Sequence, residues 1–250
     1  MNVGGIIDIS TKDIPNKASM VIFTNGCNFN CEFCHNKHLV LNNRGKIINI
    51  KDLMKLINGN SLVNSLSITG GEPTLQEDLI DFCKEFNKLG KYLSIDTNGS
   101  RPEIIEKVIP YVNRIALDIK APLKQNQLDR VVRKNIDPML IIQTFLMINT
   151  IKTIDFEIRT TYTEKLLKPR DIHEIISFLK QNNFGGNYVL QQYNYSEGVG
   201  KEFKNRFHKP SHLSLLNILG SYKNRDVPFE IYLLLKYIFI LYYTYKNQYL

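Results

Sequence analysis

Six short β-branched runs alternate with segments of helical period along most of this chain, and that alternation restricts its fold more than any other feature. The runs are SMVIF (19–23), SLSIT (65–69), YLSID (92–96), RIALDI (114–119), TIDFEIRTTY (153–162) and NYVLQQY (187–193). Between them, residues 51–58, 76–89, 102–110, 136–149 and 169–182 carry apolar side chains at helical spacing. Repeated strand–helix–strand units favour a parallel sheet with crossover helices. Eight such units need roughly 250 residues. This chain has 250 residues in all, and almost twenty of them precede the first run. The expectation is therefore an α/β fold, an incomplete (βα)6 partial TIM barrel.

With 43% hydrophobic residues and no Pro-, Gly- or Ser-rich linker or internal repeat, the chain reads as a single domain over 1–250. Its core is expected from about residue 17 to about 231, followed by an apolar tail at about 232–250. The tail sequence IYLLLKYIFILYYTYKNQYL reaches the roughly 18–20 residues at which a membrane span is considered. Lys236 in its middle and the scattered tyrosines argue against a span and for an edge element, a partner-facing patch or a loose tail. The net charge of +8 fits an acidic partner or simply a basic solvated surface. It comes with no concentrated basic block or RNA-binding module, so no nucleic acid is expected.

No basic start followed by an apolar signal segment is present, which makes a reducing cytoplasm the expected location. Cysteines there are not expected to form disulfides. Three of the four fall within Cys27-Asn28-Phe29-Asn30-Cys31-Glu32-Phe33-Cys34, a CxxxCxxC pattern, while Cys83 sits on the apolar side of a helix and reads as a small buried hydrophobe. Three thiolates on one loop can hold three corners of a cubane iron–sulfur cluster and leave the fourth iron open to a small molecule. The alternatives are a zinc site completed by His35 or His38, although zinc loops usually place their second ligand pair well downstream, and a redox dithiol at Cys31 and Cys34, which leaves Cys27 unexplained.

Other polar motifs fall at carboxyl ends of the same strands, the edge where parallel α/β folds bind ligands. Gly70-Gly71-Glu72-Pro73 reads as a turn with close backbone approach, Glu72 serving as a helix N-terminal acid. Asp96-Thr97-Asn98-Gly99 reads as an Asx or left-handed turn. Asp118 and Lys120 share a strand face and suit a salt bridge. Arg159 is too costly to bury unpaired and calls for a carboxylate, with Asp155 and Glu157 nearest in sequence.

With an aromatic, Phe33, before its last cysteine, the loop resembles the hallmark of the radical S-adenosylmethionine (SAM) superfamily, and the resemblance extends from about Ile7 to about Ile231. It implies a partial barrel of the radical SAM type with a [4Fe-4S] cluster on Cys27, Cys31 and Cys34. It also implies SAM chelating the open iron and splitting, on one-electron reduction, into methionine and a hydrogen-abstracting 5′-deoxyadenosyl radical. By the same resemblance, Gly70, Gly71 and Glu72 meet the SAM ammonium group; Asp96 and Asp118 with Thr97 form a polar or cation-assisted site by its carboxylate; Asn98 belongs to the cofactor-binding DTNG segment; Lys120 and Arg159 recognise SAM; and Gln191 or Tyr193 reaches the adenine.

The run from Thr24 to Asn36, the leader Asp8-Ile9-Ser10 to Pro15-Asn16-Lys17, the DTNG segment and Asp118-Ile119-Lys120 together resemble glycyl-radical-enzyme activating enzymes, in particular those serving anaerobic ribonucleoside-triphosphate reductase. That implies a protein partner bearing the target glycine and an electron donor such as flavodoxin or ferredoxin. The runner-up is a radical SAM enzyme modifying tRNA or a small molecule, which would show RNA dependence and steep salt sensitivity. The rival from another class is a non-catalytic metal-stabilised binding protein, which zinc alone would fold.

Overall fold

The computed structural model describes residues 1–41, 45–195, 206–220, 230–235 and 238–241. The chain opens on β1 (Asn2–Ile14), turns at Pro15 and Asn16, the latter at φ 59°, and returns as β2 (Lys17–Thr24). Then follow α1 (Lys37–Leu41), β3 (Lys46–Ile47), α2 (Ile50–Gly59), β4 (Ser65–Gly70), α3 (Leu79–Asn87), β5 (Tyr92–Thr97), α4 (Pro102–Val108) and β6 (Arg114–Asp118). The second half runs α5 (Gln125–Val132), α6 (Pro138–Asn149), β7 (Asp155–Tyr162), α7 (Pro169–Gln181), β8 (Asn187–Gln192), α8 (His212–Gly220), β9 (Glu230–Leu235) and β10 (Ile238–Leu241).

One sheet holds all the strands in the order β10-β9-β8-β7-β6-β5-β4-β2-β1-β3. From β2 through β4 to β9 the neighbours are parallel, and β1, β3 and β10 add antiparallel edges. The two ends of this order do not pair among the described residues, so the barrel stays open. Each inner parallel strand is buried on both faces, as a sheet covered by crossover helices demands. One face of the alternation is apolar, with Leu66, Ile68, Leu93, Ile95, Ile115, Leu117 and Ile158 in a core with Leu53, Phe82 and Phe86 of the helices. The opposite face carries Asp118, paired with Lys120, and Ser94, Asp96, Arg114, Glu157 and Arg159, joined to one another by hydrogen bonds and ion pairs. The barrel interior is therefore polar and the helix layer supplies the hydrophobic core.

Helices α2 and α6 start on side-chain caps. The Asn49 side chain accepts from Asp52 N at 2.9 Å, and Asp137 accepts from Met139 N at 2.9 Å ahead of Pro138. Phe145 of α6 packs 4.9 Å from Phe178 and 5.8 Å from Phe156, closing α6 and α7 onto the sheet.

One expectation is revised. The leader is a strand of the sheet, unrecognised because Gly4 and Gly5 interrupt it and Ile7 and Ile9 stay exposed, so it lacks a one-sided apolar pattern. The apolar tail begins as strands β9 and β10, while Lys236, Tyr237 and residues 242–250 lie outside the described residues. No helix among the described residues is long and apolar enough to cross a membrane.

Candidate active site

A cavity of about 340 Å³ opens at the carboxyl edge of the parallel strands, and all twelve candidate residues line it: Cys27, Cys31, Cys34, Gly70, Gly71, Glu72, Asp96, Thr97, Asn98, Asp118, Lys120 and Arg159. Of the two residues named for the adenine, Gln191 also lines the cavity, whereas Tyr193 is buried between His35 and Phe207.

The cysteine loop is locked to the neighbouring strand ends by its own polar groups. The Lys37 ammonium, buried, donates to the carbonyls of Asn30 and Cys31 at 3.1 Å each and to the Asn30 side chain at 2.5 Å. Glu72 N donates to Gly26 O and Gly71 N to Thr24 O, both at 2.8 Å. A Cβ on Gly71 would lie 1.9 Å from the Gly26 carbonyl oxygen, so no other residue permits this junction. Asn28 donates to Ser100 Oγ at 2.7 Å and accepts from Asn98 Nδ2 at 2.8 Å. Glu32 is held by Arg133 at 2.8 Å and Arg206 at 3.1 Å.

Several polar groups read as ligand contacts are engaged within the protein. Glu72, only 1% exposed, caps the short turn Pro73–Leu75: its Oε1 accepts from Thr74 N (3.1 Å), Thr74 Oγ1 (2.6 Å) and Thr97 Oγ1 (2.7 Å), and its Oε2 from Asn98 N (2.7 Å). Thr97 also accepts from Gly99 N, so its hydroxyl is committed on both sides. Arg159 pairs with Glu157 (2.5 Å) and with Asp96 (2.8 Å), while Asp155, the other sequence neighbour considered, binds the Tyr92 hydroxyl. Lys120 pairs with Asp118 at 2.8 Å.

Burial pushes the Cys27 and Cys31 thiols up to about 12 and raises Cys34, with the Glu72 carboxylate adding to the effect at Cys27. Burial works against the Lys120 ammonium, but Asp118 and the neighbouring Cys31 outweigh it and hold the amine above its ordinary value. Burial likewise raises Asp96, opposed by Arg159 and then Arg114.

The donor set suits an iron–sulfur cluster: three soft ligands on one loop, a peptide N–H from Phe29 on Cys27 Sγ at 3.4 Å, and an adjoining cavity for a small molecule. No three His, Cys, Asp or Glu side chains converge on one point among the described residues; a cubane does not require it, since each thiolate takes its own iron. His35 gives its Nε2 to the Asn194 carbonyl at 2.6 Å. Cys83 lies in α3 among Phe82 and Phe86 and does not line the cavity. Cys83→Ala is expected to leave iron content unchanged and to cost about 1 kcal/mol in denaturant unfolding.

A family profile described as "Radical SAM superfamily" matches residues 21–161, which contain nearly all of this constellation. The chain belongs to the radical SAM superfamily. A Methanocaldococcus jannaschii protein provisionally named a glycyl-radical enzyme activating enzyme is 33% identical over 213 residues, 81% of this chain and 84% of the relative. Among solved structures, Streptococcus suis SuiB bound to S-adenosylmethionine matches this radical SAM chain with a TM-score of 0.65 at 21% identity, covering 84% of it. The chain spans about half of SuiB, 48% of its length. A domain of a pyruvate-formate lyase-activating enzyme from Bacteroides vulgatus matches with a TM-score of 0.51 at 17% identity, covering 66% of this chain and 96% of that one. These structures share the radical SAM fold, and membership of the superfamily implies SAM and a [4Fe-4S] cluster.

Residues that sequence reasoning missed are Asn28, Asn36, whose Nδ2 donates to the Gly70 carbonyl at 3.1 Å, Lys37, Ser100 and Arg114. The first three stand within or beside the cysteine motif, and that proximity was the available signal. Ser100 and Arg114 gave none, because Ser100 meets Asn98 and Asn28 only through the turn after β5 and Arg114 meets its partners only through strand pairing.

Proposed function

We propose that this radical SAM protein is a glycyl-radical-enzyme activating enzyme whose partner is an anaerobic ribonucleotide reductase and whose electrons come from a flavodoxin- or ferredoxin-type donor. The observation that carries the reading is the gathering of the three cysteines and every SAM-motif residue around one cavity, in a chain whose 33%-identical relative bears the activating-enzyme name. When bound, reduced cluster and SAM supply methionine and a 5′-deoxyadenosyl radical that takes a Cα hydrogen from a glycine of the partner. Cys27, Cys31 and Cys34 would hold the cluster. The Gly70–Gly71 backbone would accept hydrogen bonds from the ammonium group of SAM. Arg159 has three of its five donors engaged, by Glu157, Asp96 and the Asp13 carbonyl, which leaves two for a carboxylate in the cavity. Lys120 has one of three engaged, by Asp118.

Anaerobic iron–sulfur reconstitution followed by dithionite and SAM tests the chemistry. A reduced-cluster electron paramagnetic resonance signal that SAM perturbs, together with 5′-deoxyadenosine, is expected, and a glycyl radical should then appear on added anaerobic ribonucleotide reductase. Zinc without iron and no deoxyadenosine would overturn the enzyme reading; deoxyadenosine without a glycyl radical on that partner would overturn the partner. Lys120→Ala is expected to keep its iron and bind SAM roughly 10- to 100-fold more weakly, the value of one charge-assisted hydrogen bond of about 1.5–3 kcal/mol. Equilibrium dialysis checks this.

A further inference from the structure

Beneath the cavity, four charged side chains cross the barrel interior as a closed ring. Arg159 reaches Glu157 through Nε at 2.5 Å and Asp96 through Nη1 at 2.8 Å. From below, Arg114 reaches the same two carboxylates, Glu157 through Nη2 at 2.9 Å and Asp96 through Nη1 at 3.5 Å, and anchors itself on Ser94 Oγ at 2.7 Å. Asp96 and Arg159 line the cofactor cavity; Arg114 does not, and faces a separate space at the opposite end of the strands.

We propose that Arg114 is a positioning residue for the cofactor cavity: by neutralising Glu157 and Asp96 from below, it leaves the upper donors of Arg159 free for the carboxylate of SAM. The proposal rests on the SAM-binding reading above.

The strand register explains how Arg114 reaches so far. Ala116 of β6 lies opposite Asp96 of β5 and Glu157 of β7, so a methyl group stands at the level where both neighbours carry carboxylates. The space above that methyl is filled by the side chain rising from Arg114, one same-face position lower. The ring holds two guanidinium and two carboxylate groups and is neutral as a unit. Arg114 is only 3% exposed, so solvent cannot replace its charge. Without it, two buried carboxylates share Arg159 as their one counter-charge in the ring. An uncompensated buried anion is costly, and the structure relieves that cost by drawing the remaining N–H donors of Arg159 downward. The cavity then loses a ligand contact through a residue that never touches the ligand.

The test is SAM binding by equilibrium dialysis to reconstituted protein, with iron content and thermal unfolding measured in parallel, for wild type, Arg114→Met, Arg114→Lys and the double variant Arg114→Met with Glu157→Gln. Arg114→Met is expected to keep its iron and to bind SAM roughly tenfold more weakly. The double variant restores one cation to one anion around Arg159 and is expected to recover most of that affinity, although it has lost more native contacts. Arg114→Lys keeps the charge but cannot span both carboxylates, and should fall between wild type and Arg114→Met. A purely structural Arg114 predicts the opposite order, with the double variant at least as impaired as the single. Wild-type affinity in Arg114→Met, or no recovery in the double variant, would overturn the proposal. If Arg114→Met does not fold, the Lys variant carries the test, and unchanged affinity there overturns it. A wild-type protein that binds no SAM would instead overturn the function proposed above, and this inference with it.

Discussion

Cys31→Ala is expected to lose the cluster and, with it, all SAM cleavage, while the fold survives. Cys31 is the deepest of the three loop cysteines, and the buried Lys37 ammonium fixes its carbonyl from behind. A cubane held by three protein thiolates has none to spare, and a second lost corner leaves two adjacent irons open to solvent. Iron per chain after reconstitution should fall at least roughly tenfold, and 5′-deoxyadenosine should drop below detection. The hydrophobic core lies between the sheet and its helices, so the circular dichroism spectrum should be unchanged. Retained iron in Cys31→Ala would sink the ligand assignment. The same thiols set a pH dependence. With Cys27 and Cys31 held up to about 12, each ligand reaches iron at neutral pH by giving up a proton, so iron retention by the wild-type protein should weaken as pH falls and strengthen as it rises.

How much of this was legible in the sequence depends on the range of the interaction. The six runs from SMVIF to NYVLQQY became β2 and β4 to β8, with ends displaced by at most two residues, because a β-branched run between turn residues is a local signal. The leader strand β1 was not legible, since its pairing with β2 depends on a turn at Asn16 and its outer residues are exposed. Helix α5 was missed because Gln125, Asn126, Gln127, Asp129 and Arg130 give it a mostly polar sequence with few apolar anchors. Motif logic picked residues that line one cavity but did not tell which of their polar atoms were still available. Glu72 and Thr97 spend their oxygens on each other. Glu157 was an anticipated partner of Arg159, whereas Asp96 was not: it sits two strands away, and contact depends on the small Ala116 between them.

The second large effect is expected at Glu72, which turns two motifs into one structure. Its carboxylate accepts four hydrogen bonds, from Thr74 N, Thr74 Oγ1, Thr97 Oγ1 and Asn98 N, and thereby ties the turn after β4 to the turn after β5. Burial raises its pKa, and the hydrogen bonds from Thr74, Asn98 and Thr97 pull in the opposite direction. Glu72→Ala strands buried donors that water cannot reach; at about 1–3 kcal/mol for each unsatisfied group, the loss should be at least about 3 kcal/mol of unfolding free energy. The turn at Asn98 would then be free to move, and with it Asn28 of the cysteine loop, which bonds to Asn98 at 2.8 Å. Both SAM affinity and cluster retention should therefore fall. Glu72→Gln separates shape from hydrogen bonding. Its amide oxygen can keep the three donors that converge on Oε1, but its NH₂ would face the Asn98 N–H, donor against donor. The expected cost is one contact, about 1–2 kcal/mol, with iron kept and SAM bound more weakly. Urea denaturation and equilibrium dialysis on both variants decide it. Equal effects from Ala and Gln would mean that the charge matters more than the four-way geometry, and no effect from either would mean that the two turns are held together by something other than Glu72.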